Sequence, residues 1–230
     1  MTESAAELGE SSAGVSRLWY VAYGSNTHRA RLEAYLRGGR SADGGDRTYP
    51  GCRDPRPPAS TRAVWLPGTL YFATRSPVWG GGRAFYDPDA PGRVPARGYL
   101  LTVGQFSDIA HQEMFREPGT DLDLRGVLRD GRDRLGPGRY ETLVRAGTLD
   151  GLPMLTFTAP WFSDEVPPVP PSARYLRRLG AGIAEAHGWP PERVAGFLAS
   201  CPGAAGHWTA RAVTRVLTGE ETGEDAGDAS

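Results

Sequence analysis

An α+β barrel is the fold class this sequence predicts, and three observations carry that prediction. Strand-length apolar runs recur at residues 18–23, 63–66, 68–74, 84–86, 98–103, 140–146 and 154–158, most of them separated by Gly or Pro. One stretch with helical spacing, residues 106–115, interrupts that series. The last third carries two helical patterns, at 175–187 and 191–198. Many strands with one internal helix and a helical C-terminal segment point to a mixed sheet or barrel with helices against it.

The first run, 18–23, reads as a buried strand, and residues 29–36 follow as an amphipathic helix with Leu32, Tyr35 and Leu36 on one side. Residues 38–62 are rich in Gly, Asp, Arg and Pro and read as a long surface loop, of a length that often shapes a site. Within 106–115, Phe106, Ile109, Ala110 and Met114 fall on one helical face, after Val103-Gly104 and before Pro118. The 175–187 helix sets Leu176, Leu179, Ile183 and Ala184 on one side, and 191–198 opens with Pro near its first turn. Residues 1–16 are small and polar and are expected to be a disordered tail. Residues 219–230, with Glu220, Glu221, Glu224, Asp225 and Asp228 and no base, are expected to be an acidic one. Between them, 17–218 is expected to form a single domain.

Composition narrows the function. With 39% hydrophobic and 10% aromatic residues, 230 residues suit one globular core. The 20 prolines and 31 glycines argue against a helical bundle. A net charge of −1 offers no general attraction to nucleic acid or anionic membrane, and neither is expected as a partner. Every basic side chain other than histidine is arginine. Without lysine there is no Schiff-base chemistry, no Ser-Lys dyad and no phosphate-loop lysine. Cys52 and Cys201 form no Cys-x-x-Cys pair and make no disulfide framework, so a reducing cytoplasm is the expected location. No secretory h-region opens the chain, and no run approaches the roughly 18–20 apolar residues of a membrane span.

The most informative stretch is Trp19-Tyr20-Val21-Ala22-Tyr23-Gly24-Ser25-Asn26. A strand that runs through glycine into a helix start leaves backbone N–H groups without intrahelical acceptors, a cradle for a carboxylate or a developing oxyanion. Gly24 permits a sharp turn or close approach of a ligand, and Ser25 or Asn26 is suited to be the N-cap. Glu113 is the second candidate. It follows Phe106 by seven residues and Ile109 by four, so it is expected to project toward the core. A carboxylate there is costly unless it has partners or a purpose, such as abstracting a proton.

Tyr23-Gly24-Ser25-Asn26 directly after an N-terminal strand resembles the signature of the γ-glutamylcyclotransferase-like superfamily. Arg97 to Val103 followed by Phe106 to Glu113 resembles that family's Gly-strand-helix-Glu unit, and Pro171-Ser172-Ala173-Arg174-Tyr175-Leu176 with Gly180 and Gly182 resembles its C-terminal helix. The resemblance covers roughly residues 18–190. It implies a mixed β-barrel with flanking helices, a small γ-glutamyl-type substrate held on the Tyr23–Asn26 loop, Glu113 as catalytic base, and no cofactor or metal. The family often positions substrate with a tyrosine from a later strand, and Tyr140, opening a Tyr-x-x-Leu-Val run, is the candidate. The implied reaction is intramolecular acyl transfer, in which the α-amine attacks its own γ-carbonyl, closes 5-oxoproline and expels an amine. A catalytically silent member that binds an amino-acid-like ligand or a protein is the alternative. The 38–62 loop is expected to decide which amine leaves. Thr27 stands where the family usually has an apolar residue, and Ala110-His111-Gln112 where it is commonly acidic.

The sequence also resembles actinobacterial chains labelled histone deacetylase. His28, His111, His187 and His207 are scattered, without a His-Glu-x-x-His pattern, so the label reads as inherited nomenclature. A Gly-x-Ser-x-Gly elbow is absent. Gly80-Gly81-Gly82-Arg83 reads as a loop, since no helix pattern follows it, and Arg53, Arg56 and Arg62 as a solvated face.

Overall fold

A computed structural model describes residues 15–40 and 48–220. The expected tails fall mostly outside the described residues. Strand β1 (Arg17–Ala22) lies in the middle of a six-stranded mixed sheet. It pairs antiparallel with β7 (Arg93–Thr102), Tyr20 opposite Tyr99, and parallel with β10 (Leu152–Thr158), Tyr20 opposite Leu155. Beyond β7 lies β4 (Ser60–Pro67); beyond β10 lie β9 (Thr142–Leu149) and β8 (Arg132–Arg134). Every residue of β1 after Arg17 is buried because both of its faces are covered. Leu18, Tyr20 and Ala22 join one core, and Val21 and Tyr23 the other.

The first core is closed by α1 (Arg29–Arg37), α2 (Val103–Glu113) and α3 (Arg125–Asp130), through Leu32, Tyr35, Leu36, Phe106, Ile109, Ala110 and Val127. The second is closed by α4 (Ala173–His187), α5 (Pro191–Ser200) and α6 (Ala210–Thr218), through Leu176, Leu179, Ile183, Val194, Leu198 and Val213. A hairpin of β5 (Thr69–Arg75) and β6 (Gly82–Asp87) lies beside the end of β10. Thr158 Oγ1 fastens it there, accepting from Tyr86 N at 3.0 Å and donating to Tyr86 O at 2.7 Å. The α+β class holds. The main sheet runs from β4 at one edge to β8 at the other, with the hairpin bridging toward β10.

Several boundaries differ from the sequence expectation for physical reasons. Strand β7 begins at Arg93 rather than near Gly98. Pro95 is tolerated because β1 pairs only from Arg97 onward, leaving Pro95 with β4 alone beside it. Helix α2 begins at Val103 because Thr102 and Gln105 form a reciprocal capping box, Thr102 Oγ1 accepting from Gln105 N and Gln105 Oε1 from Thr102 N, both at 3.1 Å. Strands β2 (Gly39–Arg40) and β3 (Thr48–Tyr49) pair across residues outside the description.

The expected structureless loop at 38–62 is tied to α2 over residues 51–56. Gln105 Nε2 donates to the carbonyls of Asp54 and Arg56, Gln112 Nε2 to that of Gly51, and the fully buried Asp108 carboxylate accepts from Arg53 N at 2.8 Å. Those polar residues recur at three- and four-residue spacing, giving α2 a polar stripe that replaces backbone pairing the loop lacks.

Candidate active site

Because β1 and β10 run the same way, Tyr23 leaves β1 beside the end of β10, and its hydroxyl donates to the Phe157 carbonyl at 3.0 Å. The chain then coils into a 3-10 turn, Ser25–Thr27, closed by Thr27 N and Thr27 Oγ1, which donate to the Gly24 carbonyl at 3.0 and 2.7 Å. The N–H groups of Gly24, Ser25 and Asn26 precede the first intrahelical bond, and among the described residues no acceptor is paired with them. These are the N–H groups that the sequence offers as a cradle.

Its capping differs from expectation. Gly24 is the N-cap and no side chain caps the turn. Asn26 is drawn elsewhere: its Nδ2 donates to the Tyr20 hydroxyl at 3.1 Å and to Glu113 Oε1 at 3.0 Å. Gly24 has φ −96°, outside the left-handed region, so the turn itself does not demand glycine. A Cβ there would lie 3.9 Å from the Tyr175 hydroxyl, an ordinary contact.

Glu113 is the last residue of α2 and is half-buried, facing a cleft rather than the apolar core. A carboxylate at a helix C-terminus meets the negative end of the dipole, at a cost of about 0.3–1 kcal/mol. The Asn26 amide offsets this with a charge-assisted bond. Tyrosines crowd around it. Burial, with Glu113 adding to it, raises the hydroxyl pKa values of Tyr20, Tyr35 and Tyr140. Burial pushes Tyr175 up to about 12. All four therefore remain protonated hydroxyls at neutral pH. Burial lowers the Arg31 pKa, but Tyr35, Tyr49 and Glu113 together raise it above its ordinary value, so this cation is held beside the site.

The cleft encloses ≈ 350 Å³, counting its open mouth. Its walls include every residue singled out from the sequence: Tyr23, Gly24, Ser25, Asn26, Tyr140 and Glu113. Tyr140 lies in the turn before β9 rather than in a strand, and its hydroxyl donates to the Ala84 carbonyl at 3.3 Å. Tyr20, Ala84, Phe157 and Tyr175 also line it, without having been assigned a role. Tyr175 was visible inside the Pro-Ser-x-x-Tyr-Leu motif. Ser172 caps α4 by accepting from Tyr175 N, and the Tyr175 ring stacks on Trp79 with centroids 5.0 Å apart.

Two expectations about this region change or gain a cause. No residue of 38–62 lines the cleft, among the described residues. Arg53 pairs with Asp108 and Asp121, and Arg56 with Asp54. Gly81 and Gly82 serve close backbone packing: a Cβ on Gly81 would lie 2.5 Å from Ser172 N, and Gly82 N donates to the Pro170 carbonyl at 2.8 Å. Thr27, the departure from the family pattern, is fully buried with its hydroxyl paired.

The chain is similar over most of its length to γ-glutamyl cyclotransferase. That solved structure has 16% sequence identity and a TM-score of 0.45, with 89% of this chain and 99% of that one covered. A human uncharacterized protein, loc79017, has 17% identity and a TM-score of 0.46 over 88% of this chain and 99% of that one. Histone deacetylase 5 of Arabidopsis thaliana is 31% identical over 186 residues, 73% of this chain. The match spans only 28% of that plant protein. No protein-family model matches the chain. Among the described residues, no group of three or more His, Cys, Asp or Glu is placed to hold a metal ion, and no helix is long and apolar enough to cross a membrane.

Proposed function

We propose that this protein is a γ-glutamylcyclotransferase-like enzyme that releases an amine from a γ-glutamyl substrate and forms 5-oxoproline. The observation that carries the reading is the 3.0 Å bond from Asn26 Nδ2 to Glu113 Oε1, which joins the Tyr-Gly-Ser-Asn turn to the α2 glutamate in one cleft. In the proposed step Glu113 takes a proton from the substrate α-ammonium, and the freed amine attacks the γ-carbonyl. A ring C–N bond forms, negative charge collects on the carbonyl oxygen, and the Gly24–Asn26 N–H groups stabilise it. Collapse breaks the original C–N bond, and the proton held by Glu113 passes to the departing nitrogen. The second proton, which the ring nitrogen must lose to become the lactam N–H, follows through the same carboxylate, so the amine leaves as an ammonium. Both reacting groups belong to one molecule, so the protein has to hold the substrate curled rather than gather two reactants. The tyrosine walls offer ring faces to the ammonium.

The alternative is a silent member of the same fold that binds an amino-acid-like ligand. The departures at Thr27 and Ala110-His111-Gln112 favour keeping it in view. A panel of γ-glutamyl amines assayed for 5-oxoproline separates the two. Turnover by wild type with a loss of at least about 10²-fold in Glu113→Gln is expected of a general base. Equal turnover by wild type and Glu113→Gln would remove Glu113 from the chemistry, and no turnover on any substrate would leave the silent binder.

A further inference from the structure

Two buried tyrosines face one another across the β1–β7 pair, Tyr20 opposite Tyr99, with ring centroids 6.3 Å apart. They take hold of Asn26 at its two ends. The Tyr20 hydroxyl accepts from the side-chain amide at 3.1 Å. The Tyr99 hydroxyl donates to the main-chain carbonyl at 2.8 Å, with the Thr27 carbonyl 3.3 Å away. Those two carbonyls end the 3-10 turn, where intrahelical donors run out. Burial raises the Tyr99 pKa, so this hydroxyl keeps the proton it donates.

The chain just after the turn is fixed by charge. Arg97 lies two residues before Tyr99 on β7 and so on the same face of the strand. Its guanidinium carbon is 6.0 Å from the Tyr99 ring centroid, and its Nη1 donates to Glu185 Oε1 at 3.0 Å. Glu185, on α4, accepts through its other oxygen from Arg29 N at 3.3 Å. Arg29 opens α1 directly after His28, and a carboxylate there meets the positive end of the helix dipole. Arg97 is buried, and a buried guanidinium is costly without a paired carboxylate. Strand β7 therefore holds the turn twice, through the Tyr99 hydroxyl at residues 26–27 and through Glu185 at Arg29.

We propose that Tyr99, Arg97 and Glu185 are positioning residues, which grip residues 26–29 from behind and so aim the Gly24–Asn26 N–H groups and the Asn26 amide into the cleft. This rests on the reading of the cleft as catalytic. The three stand outside the cleft wall, so they act on substrate only through the backbone they hold. The cradle and the base act on charge that forms during the reaction, so loosening their support costs kcat rather than KM.

Amide hydrogen exchange on the full chain tests the grip without reference to turnover. Thr27 N and His28 N close the turn on the Gly24 and Ser25 carbonyls. In Tyr99→Phe both amides are expected to exchange at least about fivefold faster than in wild type, the effect of losing one hydrogen bond. Glu185→Gln, which keeps a single acceptor for two donors, should quicken Arg29 N in the same direction. Tyr71→Phe is the control: it removes a hydroxyl that donates to the Trp161 carbonyl and should leave all three amides unchanged. On a γ-glutamyl compound that wild type turns over, Tyr99→Phe and Glu185→Gln should each lower kcat at least about tenfold with KM within about threefold, and Tyr71→Phe should stay within about twofold in both. Unchanged exchange of the turn in Tyr99→Phe, a loosened turn with unchanged kcat, a change confined to KM, or an equal fall in kcat in Tyr71→Phe would overturn the proposal. If the turn loosens as expected but wild type releases no 5-oxoproline from any γ-glutamyl compound, the support of the turn stands and the cyclotransferase reading falls. Circular dichroism of the variants, matched to wild type, separates local loosening from misfolding.

Discussion

Asn26 is the residue on which the most rests. It is buried, and its amide spans the Tyr20 hydroxyl and the Glu113 carboxylate while its Oδ1 has no hydrogen-bond partner among the described residues. Replacing it by alanine removes the donor to Glu113 and leaves the Tyr20 hydroxyl short of a partner. Asn26→Ala is expected to lower stability by about 1–3 kcal/mol and to lower 5-oxoproline release well beyond that loss of folded protein. Thermal denaturation alongside an assay at a temperature where the variant is folded would check this, and unchanged turnover would refute the role. The importance of the position was legible in the sequence, but its use was not. Asparagine after glycine reads as a cap, whereas here the amide turns inward because a carboxylate on the far side of the cleft is a stronger acceptor than the turn can offer.

At the scale of elements, the turn is held in place by α4. A Cβ on Gly182 would overlap Thr27 Oγ1 and lie 2.7 Å from His28 N, whereas one on Gly180 would meet the end of the Leu217 side chain. Backbone yields less readily than a terminal methyl group, so the two glycines have unequal consequences. Gly182→Ala is expected to cost about 1–3 kcal/mol by overpacking and to cut activity at least about tenfold by displacing the 24–28 turn. Gly180→Ala is expected to cost less and to leave kcat near wild type. Comparable kinetics in the two variants would show that α4 does not position the turn. The glycines were visible as part of a motif, but their separate duties follow from what each one packs against. Likewise the α2 start is legible in principle from Thr102 and Gln105, and the apolar pattern starts β7 only at Gly98 because Pro95 and the flanking arginines break it while tertiary pairing tolerates them.

Across the whole molecule, burial of ionisable groups sets an acid-side limit on stability. Burial lowers the pKa of His28, His111 and His187 below the ordinary 6.5. The unfolded chain therefore takes up protons first, so stability is held above about pH 6.5 and declines as the pH falls below it. A second decline belongs below about pH 4.5. Burial tends to raise the Glu185 pKa, but Arg97 and the Arg29 N–H outweigh it, and the Asp87 carboxyl is held down by Ser163 despite its own burial. Protonating those carboxylates discards their native bonds. Thermal midpoints measured from pH 7.5 to 3.5 should fall in both windows, and a flat profile between pH 7 and 5 would contradict the histidine contribution.

What the sequence by itself determined is what lies close along the chain. The mixed α+β class, the strand–Gly–helix turn, the apolar faces of α1, α2 and α4, and Glu113 as an exceptional carboxylate all follow from spacings of a few residues, where backbone geometry dictates which side chains share a face. Tertiary structure alone decided the meetings. Asn26 and Glu113 are 87 residues apart and touch because β1 is parallel to β10 and α2 packs beneath the sheet. Tyr140 and Ala84 meet across 56 residues, closing another wall of the cleft. Such contacts depend on register and packing between distant segments, and no local period encodes which of many arginines or tyrosines will face one another once the chain has closed.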